Sequence, residues 1–166
     1  MKNINKQDLK QYASGLISKE DFLKIFKSEI DFNSFDMLLE KSLNDFSEFN
    51  MLLWYLPTTL NDIQKDKIFK KYLSLKEGHQ EHEELLNYFH KNFINADQNV
   101  IILQSLVENP PRYFQEADRE NVFKEKCIFT IAKQPTMKAK EALIKYIKST
   151  DETIARASEL YLQKII

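Results

Sequence analysis

Ser149-Thr150-Asp151-Glu152-Thr153-Ile154-Ala155-Arg156-Ala157-Ser158-Glu159-Leu160-Tyr161-Leu162-Gln163-Lys164-Ile165 is the stretch whose reading decides the fold. Ile154, Ala157, Ser158, Tyr161, Leu162 and Ile165 recur at intervals of three and four, which places them on one face of a helix. Glu152, Arg156, Glu159 and Gln163 fall on the opposite face. Asp151 stands just ahead, where its carboxylate can accept the unpaired N–H groups of the first turn. The preceding segment repeats the pattern, with Pro135-Thr136 supplying a break and a start, and Ala139, Leu143, Tyr146 and Ile147 forming the apolar stripe. Before that, Val122, Phe123, Cys127, Ile128, Ile131 and Ala132 cover a wider arc, so this helix is expected to be the more deeply buried one.

The same logic runs back toward the N-terminus. Ser18-Lys-Glu-Asp21 reads as a capping box that opens a short helix carrying Phe22, Ile25 and Phe26. Helices are expected over Phe35–Leu43, over Phe46–Leu56 with a stop at Pro57, and over Leu60–Leu75 with an end near Gly78, the residue type that commonly terminates helices. Gln80–Phe93 and Gln98–Val107 follow, and Pro110-Pro111 forces an extended break. The expected architecture is all-α: about eight helices in stacked antiparallel hairpins, HEAT-like or an irregular α-solenoid. It is read as one all-helical domain over residues 1–166, made of an N-terminal segment (residues 1–57), a central segment (residues 58–109) and C-terminal hairpins (residues 112–166).

Composition agrees. The chain has 166 residues, of which only two are glycine and four proline. No Asn-Gly or Asp-Gly hairpin signal occurs, and neither G-x-G-x-x-G nor a Walker A pattern is present, which excludes phosphate binding by those loops. A single cysteine, Cys127, excludes an internal disulfide framework and a cysteine-based zinc cage. The longest near-unbroken apolar run, Met51 to Pro57, is far short of the ~20 residues of a membrane span. The polar opening Met1-Lys-Asn-Ile-Asn-Lys6 leads to the expectation of a cytoplasmic protein. Lysine outnumbers arginine 21 to 3 and Asn and Ile are abundant, a mark of AT-rich coding that points to a bacterial source.

Three stretches align on an aspartate in a turn between two apolar-striped helices: Asp45, Asp97 and Asp151, spaced 52 and 54 residues apart. A single helical pair cannot hide both its apolar faces, so such pairs stack to share a core. The last unit, with Asp151, then Ile154 and Ala157 on the inner face, resembles the turn and second helix of a HEAT-type repeat. In that family an Asp caps the second helix, and an aliphatic and then a small residue follow. The Asp97 unit keeps Val100 but has Leu103 where the small residue belongs, and the Asp45 unit departs further.

Catalytic chemistry has one candidate location. All three histidines lie within His79-Gln-Glu-His82-Glu-Glu-Leu-Leu-Asn-Tyr-Phe-His90. His79, His82 and Glu83 could share a helical face, but this is not H-E-x-x-H, and His90 lies roughly 16 Å further along a helix axis. His82 also falls in the apolar arc of Leu85, Leu86, Phe89 and Phe93, which reads as a packed imidazole. Cys127 sits in Lys126-Cys127-Ile128-Phe129 and reads as core. No nucleophile elbow exists. The chain is therefore read as having no catalytic role, no cofactor and no metal.

Binding is the remaining reading. Net charge is -1, the wrong balance for a general nucleic-acid binder, yet it is unevenly spread. Residues 1–110 carry 13 Lys+Arg and 17 Asp+Glu, and residues 111–166 carry 11 and 8. An acidic patch is expected from Asp36, Glu40, Asp62, Asp66, Glu77, Glu81, Glu83 and Glu84. Two aromatic pairs, Trp54-Tyr55 and Tyr113-Phe114, cannot both point inward, since neighbours on a helix are about 100° apart. In size and HEAT-like helical organisation the chain is similar to small immunity proteins encoded beside bacterial toxins. That resemblance implies a protein-binding module that occludes a basic toxin domain. The residues expected to bind the partner are Asp36, Glu40, Trp54, Asp62, Glu81 and Glu84. The alternative is a helical-repeat nucleic-acid module using Lys124, Lys126, Lys133, Lys138, Lys140, Lys145 and Lys148.

Overall fold

A computed structural model describes residues 6–26, 32–54 and 60–164 of the chain. Every regular element among them is helical. The elements are α1 (Lys6–Ala13), α2 (Lys19–Phe26), α3 (Phe32–Lys41), α4 (Phe46–Trp54), α5 (Asp62–Ser74), α6 (His82–Phe89), α7 (Ala96–Glu108), α8 (Arg112–Glu116), α9 (Glu120–Lys133), α10 (Met137–Tyr146) and α11 (Glu152–Leu162). Apolar periodicity locates all of these except α1 and α8. The first is mostly polar, and the second is a single turn too short to show a period. Tyr55, Leu56, Pro57 and Ile165, and the side chains of Ile25 and Phe26, lie outside the described residues.

The chain divides into two compact units, Met1–Ile68 and Phe69–Ile166, with the division inside α5. In the first unit α1 packs on α2 and α4, and α3 packs on α4. Phe35, Leu39, Phe49, Leu52 and Leu53 form its buried face. The helix starts are encoded locally. The Asp21 backbone N–H donates to Ser18 Oγ (3.1 Å), so the expected cap of α2 is present. Asp45 Oδ1 accepts from the Glu48 N–H (3.0 Å) at the start of α4. Asn61 and Gln64 form a reciprocal box at α5, in which each backbone N–H donates to the other side chain (3.1 and 2.9 Å). This Asn-x-x-Gln box is a start signal that the apolar stripe alone does not reveal.

In the second unit α9 is the central helix, packed against α6, α7, α8, α10 and α11. The wide arc read from its sequence accounts for this. Phe123, Cys127, Ile128 and Ile131 are all fully buried, although Val122 at the arc's edge is exposed. Phe114 of α8 stacks on Phe123 (ring centroids 4.0 Å apart), so Pro110-Pro111 delivers a core aromatic to the central helix. Ala139, Leu143 and Tyr146 bury the inner face of α10, and Ile154, Ala157 and Ser158 that of α11.

Two local expectations are corrected. Asp97 does not cap a helix: it is the second residue of α7, and the residue ahead of that helix is Asn95, left-handed at φ 48°. Asp151 does cap α11, accepting from the N–H groups of Thr153 (3.0 Å) and Ile154 (3.2 Å). The three aspartates are thus not equivalent. Gly78 does not end α5 either. That helix stops at Ser74, and Gly78 takes a left-handed turn (φ 91°) in the loop beyond.

The contrast between the two aspartates is measurable. Asp151→Ala removes the one oxygen that accepts both cap hydrogen bonds and a partner of Lys124, and is expected to cost about 1–2 kcal/mol in urea unfolding. Asp97→Ala, at an exposed position with no cap bond, is expected to cost under about 0.5 kcal/mol.

Candidate functional site

The acidic and aromatic candidates fall into two groups. Asp36 and Glu40 stand one turn apart on α3, Trp54 ends α4, which packs on α3, and Asp62 opens α5. Glu81 immediately precedes α6 and Glu84 lies in its first turn, within the second unit. The structure therefore brings Asp36, Glu40 and Trp54 onto one helix pair and Glu81 and Glu84 onto one helix start. Trp54 is 59% exposed. The other aromatic pair divides differently: Phe114 is core and Tyr113 is half-buried, so neither is a surface anchor.

Sequence reasoning missed Met37, which is 53% exposed beside Asp36. The signal was available, because position 37 lies off the Phe35/Leu39 stripe of α3. Two residues expected in the acidic patch are not on it. Asp66 is buried. Glu83 is engaged by Arg119 (2.6 Å) and by Lys126 of α9. Partial burial would raise its carboxyl, but the two cations outweigh that and hold it below the ordinary carboxylate range.

The histidines form a buried structural cluster. His79 and His82 stack ring on ring, centroids 4.4 Å apart and planes 14° from parallel. His79 Nε2 donates to the Tyr72 carbonyl (2.8 Å), and its Nδ1 accepts from the Glu81 backbone N–H (3.1 Å). His82 Nε2 donates to the Leu75 carbonyl (2.5 Å). Its Nδ1 stands 3.2 Å from the Tyr113 hydroxyl, which donates to the Gln80 carbonyl (3.1 Å). A carbonyl can only accept, so both rings carry their proton on Nε2. The accepted carbonyls are those at and just past the end of α5, so the two imidazoles cap that helix in place of a glycine. Lys76, in the same loop, donates to the Ser105 (3.1 Å) and Asn109 (2.5 Å) carbonyls at the end of α7.

The expected His82 burial holds, with one change to its surroundings. Leu85, Leu86 and Phe89 are buried with it, while Phe93 lies beyond the end of α6 and is exposed. His90 is turned to a different partner, the Thr130 hydroxyl on α9 (2.7 Å). Next to it, Gln134 Nε2 donates to the Phe89 carbonyl (2.9 Å) and its Oε1 accepts from Asn99 Nδ2 (2.9 Å), which ties the ends of α6 and α9 to the start of α7. Among the described residues no group of three or more His, Cys, Asp or Glu is placed to hold a metal ion. Burial pushes the Cys127 thiol well above its ordinary value, which keeps it protonated.

Comparison with protein-family models, with curated proteins and with solved structures finds no match to this chain. Its own residues are what a functional reading has to rest on. Of the lysines considered as a phosphate-binding set, three are already held by carboxylates. Lys124 meets Glu120 (2.5 Å) and Asp151 (2.9 Å), Lys126 meets Glu83, and Lys145 meets Glu108 (3.0 Å). Among the described residues no helix is long and apolar enough to cross a membrane.

The imidazole cap makes stability depend on pH with a definite sign. Burial, and then the neighbouring His79, lower His82 from 6.5 to about 3, and burial lowers His79 as well. The unfolded chain therefore binds protons that the folded chain refuses. Their contribution to stability is fully present above about pH 6.5 and is lost as pH falls below it, for His82 down to about pH 3, by up to ~1.4 kcal/mol per pH unit for each histidine. Urea midpoints are expected to fall between about pH 7 and about pH 5, where carboxylates stay ionised. His82→Gln should be less stable at neutral pH and show a flatter dependence over that range.

Proposed function

We propose that this chain is a non-catalytic protein-binding module whose helices stack as HEAT-like hairpins. More specifically, it acts as an immunity-type protein that occludes a basic toxin domain. The observation that carries the reading is the α3–α4 pair. It presents the chain's only tryptophan, Trp54, and Met37, both more than half exposed, on a segment (residues 32–54) with four acids, Asp36, Glu40, Asp45 and Glu48, against one base, Lys41.

An exposed tryptophan and methionine supply large, desolvatable contact area, the kind of anchor on which interface energy concentrates. The surrounding carboxylates steer a basic partner and disfavour phosphate. Glu81 and Glu84 at the start of α6 add acidic character to the second unit, and Asp62 does the same at the start of α5. The nucleic-acid alternative draws less support, because Lys124, Lys126 and Lys145 already serve internal carboxylates.

The test is stopped-flow association with the protein encoded by the neighbouring gene. Asp36→Lys/Glu40→Lys is expected to slow association about tenfold or more at low salt and to flatten its salt dependence. Trp54→Ala is expected to speed dissociation, at a cost of about 2 kcal/mol in affinity. Rate constants unchanged by both substitutions overturn the reading, as does tight, steeply salt-dependent binding to duplex DNA.

A further inference from the structure

His90, Phe129 and Tyr161 form a row of half-buried rings that runs from the end of α6 across α9 to the last turn of α11. The His90 and Phe129 centroids are 5.0 Å apart and those of Phe129 and Tyr161 5.2 Å apart, with planes at 79° and 52°, so the rings pack edge against face and hold one another in place. Three exposed lysines stand along the row. Lys133 Nζ lies over the Phe129 ring and Lys164 Nζ over the Tyr161 ring, each 5.2 Å from the centroid, and Lys91 follows His90 in the chain. None of the three meets a carboxylate among the described residues. An ammonium held only over a ring keeps its three N–H donors available. The acids next to the row are engaged elsewhere: Glu83 by Arg119 and Lys126, and Glu125 by Arg156 (4.0 Å). Glu84 stands two turns before Lys91, about 10 Å along the axis, and accepts from Asn87 (3.1 Å). The Thr130 hydroxyl proton goes to the Lys126 carbonyl (2.7 Å), so Thr130 accepts from His90 Nε2 (2.7 Å) and His90 Nδ1 keeps its lone pair. The charges that act on His90 are Lys133, Lys126 and Lys91, all positive; together with burial, the larger cause, they hold the ring below its ordinary value.

We propose that this row is a site for single-stranded nucleic acid, in which Lys91, Lys133 and Lys164 meet backbone phosphates and the rings of His90, Phe129 and Tyr161 meet bases. The site goes beyond the α3–α4 reading and shares no residue with it. From the lysine set of the C-terminal helices it draws only Lys133. The donors left free favour phosphate over carboxylate. The planar fork of arginine suits a carboxylate, and the two arginines near the row, Arg119 and Arg156, already hold Glu83 and Glu125. What remains is lysine, a point charge well suited to phosphate. A strand is favoured over a duplex because rings reach bases only where the bases are unstacked, and lysines interleaved with aromatic rings are how strand sites without sequence preference are built. A base that displaces an ammonium from a ring face leaves that ammonium free for the adjoining phosphate. The overall charge of -1 does not oppose this locally, because the nearest acids are paired.

Fluorescence anisotropy of a labelled oligothymidylate of about 12 nucleotides, titrated with the whole chain up to about 1 mM, tests this. Three phosphate contacts at about -0.7 each give an expected slope of about -2 in log K against log salt. Lys133→Gln/Lys164→Gln is expected to weaken low-salt binding about tenfold or more and to flatten the slope to about -0.7. Lys138→Gln/Lys140→Gln, which removes the same charge from α10, is expected to change neither. In NMR titrations of the three histidines, the strand is expected to raise the pKa of His90 alone, because phosphate relieves the like charges around that ring. A strand that does not bind at low salt overturns the proposal, as does equal weakening by the two lysine pairs, or a His90 titration that the strand leaves in place. A duplex bound as tightly as the strand also overturns it, because the rings then contribute nothing. Displacement of the strand by oligoglutamate as readily as by unlabelled oligothymidylate overturns it too, and assigns the row to an acidic protein segment. Failure of strand binding leaves the α3–α4 reading standing, since that reading is tested on other residues and with a protein partner.

Discussion

The last carbonyl groups of a helix have no partners within it, and in this chain much of their satisfaction comes from side chains distant in sequence. His79 and His82 reach the end of α5, Gln134 reaches the end of α6, and Lys76 reaches the end of α7. An unpaired buried carbonyl costs about as much as a lost hydrogen bond, so the buried donors His79, His82 and Gln134 matter to the fold, whereas the Ser105 and Asn109 carbonyls that Lys76 meets are exposed. The usual local solution is a left-handed glycine just past the last turn. With two glycines in 166 residues, the chain uses it at Gly15, just past α1, and turns to other residues elsewhere. Among the described residues, left-handed positions are taken by Asn44, Asn95 and Asp118 as well as by Gly15 and Gly78. Asn and Asp tolerate that conformation because their short side chains bond locally.

This requirement explains why the polar residues of the second unit sit where they do. Gln134 and Asn99 are buried amides beside the ends of three helices. Thr130 passes a hydrogen bond from His90 to the Lys126 carbonyl (2.7 Å), one turn back on α9. The ion pairs at the rim do related work. Glu83 joins α6 to α9 and to Arg119 just before it, and Lys124 joins α9 to the capping residue of α11. α9 is thus held by apolar packing along its length and by polar contacts near both ends. The histidines, which in sequence were the only constellation that could have carried chemistry, belong to this framework. Both ring nitrogens of His79 and of His82 face polar partners, and His90 Nε2 faces Thr130.

Much of the helical layout was legible because it follows from short-range rules. The stripes of α10 and α11, the wide arc of α9 and the Ser18 and Asp151 caps all use residues within a turn or two of each other. The alignment on three aspartates held only in part: Asp45 and Asp151 cap helices, whereas Asp97 lies inside α7. What sequence could not supply was long-range pairing. Nothing local distinguishes Glu83, bound to Lys126 forty-three positions away, from Glu84, which is exposed. Asp66 shows the same limit, since its burial depends on neighbours that periodicity does not name. The geometry of adjacent rings pointed to one of Trp54 and Tyr55 at the surface, without choosing between them. Met37 was passed over, because a single apolar residue off a stripe carries little weight until the stripe's direction is known.

Long-distance capping also sets how such an architecture can evolve. In a solenoid built of self-sufficient units, a hairpin can be duplicated, deleted or exchanged, because each unit brings its own helix stops. Here the donor that closes α6 is carried at the far end of α9, and the donor that closes α7 is carried in the loop before α6. Copying α6 or α7 alone would leave these donors behind, whereas α10 and α11 carry their own caps. The α6–α9 part of the second unit is therefore bound to change by substitution in place and not by gain or loss of modules.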